Sequence, residues 1–396
     1  MPARKRVVSS LLLVCSALVV VSLPGACNSS RGAYYIGAPD VALIREPIEL
    51  ALGEINACGG IGGRPLRAVF VGSDDVLPPA QAAVAIADRL ARDPRILAVV
   101  GHVTSAESLP AAHIYNRYEV VNLVPNSTNP LVAHVGPFIF RICANDDAQG
   151  RYLAEVALSE LGGRSIGVIF VNDDYGKLLA RAFLDRLAEL GAECRYIGWY
   201  DGQGTVELEL VVEQLRAAGC DLVFFTGSPP QLVRMLELFR DSELSLTVLC
   251  GDGSLNIESA AAVMDVRGDC RIFVTSFYNP NLDEPEGVRF RQAYVERFGQ
   301  DPESVSALSY DAVFLLAEAM SSAGANREMI RRYIGEVGGS RPVFRGVTGT
   351  IRIFRDGECR RRVSVLAYEE GMPALSSAIV APPGRQGGEG SEGSER

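Results

Sequence analysis

The sequence predicts an α/β fold built on two doubly wound, Rossmann-like sheets, and three observations predict it. Short β-rich apolar runs alternate with longer segments of helical period. These runs are nearly continuous in apolar residues, as strands buried on both faces of a parallel sheet are. The alternation also restarts part-way along, giving two sets that are each about one sheet domain in size.

Composition bounds the rest. Of 396 residues, 48% are hydrophobic, too many for a disordered chain. The formal charge is −10, and Arg4, Lys5 and Arg6 are the only charges in residues 1–26. The remainder is therefore more acidic than the whole, a poor partner for phosphate backbones, so nucleic-acid binding is not expected.

Taken in order, residues 1–26 read as a secretory signal. The basic triplet is followed by an apolar run from Val7 to Leu23 and then Pro24-Gly25-Ala26. The run is shorter than the ~20 apolar residues of a membrane-spanning helix. Cys27 after Gly25-Ala26 resembles a lipobox cysteine, although Pro24 stands where such boxes carry Leu. Residues 27–32 would then be a lipoprotein tether. Strand-like runs follow at 67–71, 96–101, 120–124 and 138–143. Ile48, Ala51, Leu52 and Ile55 take helical spacing, with Pro47 suited to a helix's first turn. Residues 145–150 read as a polar joint and 152–161 as a new helix. Further strands are expected at 166–171, 195–199, 222–226, 246–250 and 272–276. After a loop opened by Asn279-Pro280-Asn281 come helical segments at 288–298 and 310–322. Runs at 347–354 and 363–368 look like a hairpin turning through Asp356-Gly357. Gly, Ser, Glu and Arg dominate the end of the chain, so 378–396 is expected to be a disordered tail.

Export implies an oxidising compartment. Cys58, Cys143, Cys194, Cys220, Cys250, Cys270 and Cys359 remain once Cys15 and Cys27 are set aside, an odd number with no CxxC. Small buried hydrophobes with one or two bridges are expected, of undetermined pairing. His102, His113 and His134 lack metal-ligand spacing.

Ligands of open α/β sheets sit beyond the carboxyl ends of the strands. There the sequence places Gly101-His102-Val103-Thr104-Ser105 and Pro125-Asn126-Ser127-Thr128-Asn129-Pro130. Ser108 and Ser127 suit helix capping, but two such segments side by side also suit a carboxylate held by N–H groups, hydroxyls and a helix dipole. The second set ends its strands in Asn172-Asp173-Asp174-Tyr175-Gly176, in Thr226-Gly227-Ser228-Pro229 and in Gly251-Asp252-Gly253. Asp252 suits an ammonium group and Tyr175 a cation or apolar side chain, against the commoner roles of turn acid and packing ring. An anion site facing an acid and an aromatic matches a zwitterion, an amino acid.

The segment Ile55-Asn56-Ala57-Cys58-Gly59-Gly60-Ile61-Gly62-Gly63-Arg64-Pro65-Leu66 resembles a signature of the leucine/isoleucine/valine-type periplasmic solute-binding proteins of ABC importers. Asp74-Asp75 with Pro78 and Pro79, Arg141, Asp173/Asp174-Tyr175-Gly176 and Ser309-Tyr310-Asp311-Ala312 are similar to further family stretches. The resemblance runs through nearly all of 34–370. It implies the type I periplasmic binding fold, with an N-terminal lobe of 33–141 plus 280–341, a C-terminal lobe of 142–279 plus 342–377, and a three-crossing hinge. It implies that Ser105 and Thr128, with main-chain groups at Asn126, hold the ligand carboxylate, with Ser127 beside them in the binding set. Asp252 would receive the ammonium, with Tyr175 at the mouth. Ser228 stands where relatives often carry a larger residue, and Gly37-Ala38-Pro39-Asp40-Val41-Ala42 is shorter than the family's first loop. The expectation is an exported lipoprotein, held at a bacterial membrane through Cys27, that passes a branched-chain amino acid to a permease and needs no cofactor. A sensing or protein-contacting envelope lipoprotein is the alternative on the same scaffold. No Walker loop is present, and Gly59–Gly63 follows a helix, so an enzyme is not expected.

Overall fold

The computed structural model describes residues 32–73, 76–202, 205–280, 284–361, 363–368 and 378–380. The signal segment, Cys27, Asp74-Asp75 and the chain beyond Val380 lie outside the described residues. Within them no helix is long and apolar enough to cross a membrane, and no disulfide joins the seven cysteines, so the expected bridges are not formed.

The first half runs β1 (Tyr34–Pro39), α1 (Ala42–Ala57), β2 (Leu66–Val71), α2 (Pro79–Arg92), β3 (Ile96–Val100), α3 (Ser105–Arg117), β4 (Val121–Val124) and β5 (Ile139–Arg141). Its five strands form a parallel sheet in the order β2-β1-β3-β4-β5. All of β4 and β5 and most of β3 are buried, as their mainly apolar runs require, with Asn122 and Arg141 buried among them. The sequence reading passed over β1, whose Gly37, Ala38 and Pro39 look like loop residues. Gly37 is small for packing: a Cβ there would sit 2.8 Å from a methyl of Leu90 on α2. The expected first loop shrinks to Asp40 and Val41.

The second half runs α4 (Asp146–Ser159), β6 (Ile166–Val171), α5 (Asp174–Glu189), β7 (Cys194–Tyr200), α6 (Thr205–Ala218), β8 (Leu222–Thr226), α7 (Pro229–Asp241), β9 (Thr247–Cys250), α8 (Ile257–Val266) and β10 (Arg271–Ser276). The chain then returns to pack α9 (Pro285–Phe298), α10 (Ser304–Ala323) and α11 (Arg327–Ile334) into the core around β1, β3 and β4. It ends in β11 (Phe344–Gly346), β12 (Gly349–Ile353), β13 (Cys359–Arg360), β14 (Ser364–Tyr368) and β15 (Ala378–Val380). The second sheet has the order β15-β14-β10-β9-β8-β6-β7, with β14 antiparallel to both its neighbours, β10 and β15.

Four expectations need correction. The residues read as a polar joint, 145–150, open α4 instead, with Asn145 as its cap accepting from the Ala148 N–H at 2.9 Å. The Asp356-Gly357 turn joins β12 to β13, whereas β14 pairs with β10. Four of the five residues of β14 are buried, which suits a sheet interior and not an exposed hairpin. Ala378–Val380 form β15, so the tail begins later than 378. Pro47 lies inside α1, at its second turn. A proline there lacks the N–H that would bond the carbonyl four residues back, on Leu43. The Ser306 hydroxyl of α10 supplies that bond at 3.3 Å.

Candidate functional site

β3 and β4 end side by side, so the segments after them share one edge of the first sheet. Thr104 caps α3 in a reciprocal box with Glu107, whose carboxylate accepts from the Thr104 N–H at 3.1 Å. Ser108 and Ser127 are therefore not the caps their positions suggested. Their hydroxyls bond each other at 2.5 Å across the two segments. The Ser105 hydroxyl accepts from the Asn129 N–H at 3.2 Å. Ser127, Thr128 and Asn129 are buried, and Asn126 is half-buried. Behind this loop lies Arg141, 0% exposed, whose guanidinium donates to the carbonyls of Ser127 at 2.9 Å, Asn129 at 2.8 Å and Pro130 at 3.3 Å. Three carbonyls turned backward onto one cation fix the loop's course.

Across from it, Asp252 and Tyr175 are drawn together at the ends of β9 and β6. Asp252 Oδ1 accepts from Tyr175 Oη at 3.1 Å and from Gln149 Nε2 at 2.9 Å. The Asp252 N–H in turn donates to Gln149 Oε1 at 3.1 Å, and the Gly253 N–H to Tyr175 Oη at 3.0 Å. The glycines beside Asp252 let the ring approach: a Cβ on Gly251 would stand 2.5 Å from Tyr175 Oη. Burial raises the Asp252 carboxyl above its ordinary value, opposed by the donors Gln149 and Tyr175. Burial, and then the Asp252 charge, hold the Tyr175 phenol well above its own. Tyr175 thus contributes a hydroxyl to an acid network and is not a free ring at the mouth. Ser228 stands apart. It is exposed, and its main chain takes the Gln231 side chain in the capping box of α7.

Asp146 connects the two halves. Its N–H donates to the Thr128 carbonyl at 2.9 Å, and its carboxyl senses the charge of Asp252. The side chain is 0% exposed, and neither carboxyl oxygen has a hydrogen-bond partner of normal geometry among the described residues. Burial, then the Asp252 charge, push this carboxyl up to about 7, with the Thr128 hydroxyl pulling the other way. A buried acid with no well-formed hydrogen bond is costly and calls for a donor. The sequence reading missed Asp146 and Gln149. The available signal was an acid, Asp146, and an amide, Gln149, three residues on, which fall on one face of the first turn of a helix.

Two mainly parallel sheets whose carboxyl ends meet at a hydroxyl-rich loop and an acid pair define a two-lobed solute receptor of the type I fold. A family model described as "Periplasmic binding protein" matches residues 39–360. The chain belongs to that family, a family of binding proteins and not of enzymes. It is 33% identical over 278 residues to "Amino acid binding protein" of Pseudomonas aeruginosa, covering 69% of this chain and 72% of that one. It is 30% identical over 288 residues to "Leu/Ile/Val-binding protein homolog 1" of Brucella abortus, covering 72% and 75%. An ABC transporter substrate-binding protein of Desulfitobacterium hafniense, solved in complex with Leu, superposes with a TM-score of 0.74 at 27% identity, over 88% of this chain and 100% of that one.

Proposed function

We propose that this chain is an extracytoplasmic binding protein that captures an amino acid of the branched-chain class and presents it to an ABC importer, tethered by a lipid on Cys27. One observation carries the reading: the hydroxyl-bearing loop at the end of the first sheet meets the acids of the second half, where the Asp146 N–H donates to the Thr128 carbonyl at 2.9 Å within reach of the Asp252 charge. The Ser105 and Thr128 hydroxyls and main-chain groups at Asn126 take the ligand carboxylate, and Ser127, bonded to Ser108, shapes that loop. The ammonium enters between Asp252 and Asp146, giving the orphaned carboxyl its donor. Excluding water from both ends strengthens each pairing, so capture favours closure. The Leu/Ile/Val-binding and Leu-complexed relatives support an apolar ligand side chain.

A thermal-shift screen of the chain from Ala33 onward against the common amino acids tests this. A ligand at about 100 times its Kd adds about 2.7 kcal/mol to the folded state, so leucine, isoleucine or valine should raise the melting point by several degrees. Asp252→Ala should lose that rise while its ligand-free melting stays close to the parent's. A variant that responds to leucine like the parent removes Asp252 from the site. A parent that responds to no amino acid removes the reading, in favour of protein contact or sensing.

A further inference from the structure

Resting on that reading, we propose that the short strand β13 is a hinge latch, and that Glu358 and Arg361 on its two sides are positioning residues for ligand capture. Glu358 reaches both halves of the site. Its Oε1 accepts from Arg141 Nη2 at 2.6 Å, and its Oε2 accepts from Asn145 Nδ2 at 3.2 Å. Arg141 holds the carbonyls of Ser127, Asn129 and Pro130, and so the hydroxyl-bearing loop. Asn145 caps α4, the helix that carries Asp146 and Gln149. One carboxylate therefore stands behind the anion side of one half and the acid side of the other. The His134 ring also faces this carboxylate, its Nε2 3.8 Å from Glu358 Oε1.

Arg361 does the same for the chain's passages between the sheets. Its guanidinium donates to the carbonyls of Ile142 at 2.9 Å, Phe277 at 2.7 Å and Thr348 at 2.6 Å. Ile142 lies on the path from β5 to α4, and Phe277 on the path from β10 back to α9. Arg361 itself lies on the path from β13 to β14. All three passages meet on one planar fork, which lysine's single ammonium cannot reproduce. The turn that delivers Glu358 is seated on β5: the Arg141 N–H donates to the Gly357 carbonyl at 2.9 Å. Gly357 has φ +82°, and a Cβ there would lie 2.3 Å from the Ile139 carbonyl oxygen. The latch is thus built into the backbone of β5. Holding the passages at one angle sets how readily the two halves grip one ligand together.

The test uses Glu358→Gln and Arg361→Lys, with Arg360→Gln, on the exposed side of the same strand, as control. Leucine affinity should fall about tenfold in the first two, within the range that coupling between sites generally spans. Their ligand-free radius of gyration by small-angle scattering should exceed the parent's, a change that a merely local structural role would not produce, and saturating leucine should restore it. Arg360→Gln should match the parent in both. Folded variants with parental affinity and parental ligand-free dimensions overturn the latch. Should the parent bind no amino acid, the reading above fails while the scattering comparison still decides the latch. If both variants unfold, Gly357→Ala, which displaces the turn and keeps both charges, takes their place under the same criteria.

Discussion

Asp146 concentrates the chemistry of the proposed site in one side chain. Its carboxyl titrates at about 7 in the fold against an ordinary 3.8. Between those values the folded state holds the proton that the unfolded chain has lost. Stability therefore falls as pH rises from about 4 to about 7 and levels off above. Asp146→Asn should flatten most of that slope in ligand-free melting curves, leaving what Asp311, raised to about 6, and Asp252 contribute. On the proposed reading, leucine would reverse the sign for its own binding. An ammonium favours the ionised carboxyl, so affinity should climb through the same window and capture below pH 7 should release a proton, measurable by calorimetry in buffers of different ionisation enthalpy. A parent and an Asn variant with the same pH slope would show that the acid titrates elsewhere.

At the scale of the element, α1 shows how the chain tolerates a proline inside a helix. The Leu43 carbonyl, deprived of a partner by Pro47, is met by Ser306, 0% exposed, which also lies 3.4 Å from the Tyr294 hydroxyl of α9. Ser306→Ala leaves a buried carbonyl unpaired, which costs about 1–3 kcal/mol, and should lower the melting point by a few degrees without changing leucine affinity. A loss below about 0.5 kcal/mol, the range of an ordinary surface substitution, would show that the bond contributes nothing. The same helix marks the limit of sequence reading. Periodicity placed α1 through Ile48, Ala51, Leu52 and Ile55, but the proline pushed the expected start too late, because its partner lies some 260 residues on. The strands β3, β6, β8 and β10 were readable to within a residue because each centres on an apolar run, Ile96–Val100, Ile166–Val171, Leu222–Phe225 and Ile272–Val274. β1 was not, since Gly37, Ala38 and Pro39 owe their place to packing against Leu90 and pairing with β2. The partner of β14 was hidden because strand pairing is a tertiary property. In the candidate site, Ser105, Thr128, Tyr175 and Asp252 stood out at strand ends, whereas Asp146 and Gln149 were masked by polar neighbours that only a helix cap explains.

For the whole molecule, the division of the chain matters most after residue 341. The expected lobe boundary put 342–377 with the second half, yet Phe344, Ile351, Ile353, Cys359 and Val363 are buried in the core that also holds α1, α10 and β3. Only β14 and β15 join the second sheet, where Val365 and Leu366 are 0% exposed. This terminal stretch therefore completes both cores in turn, and the two halves depend on one continuous segment for their stability. Burying five to seven apolar side chains at about 1.5–3 kcal/mol each is comparable with the whole 5–15 kcal/mol by which a domain is usually stable. A chain ending at Arg341 should consequently fail to fold in either half: no cooperative melting by circular dichroism, and rapid proteolysis of 33–141 and 142–279 alike. A chain ending at Val380 keeps every strand described here and should melt like the parent. Cooperative melting of the 33–341 chain would mean that the first half closes its core without Phe344, Ile351 and Ile353, and that the last five strands are an addition to two already complete lobes.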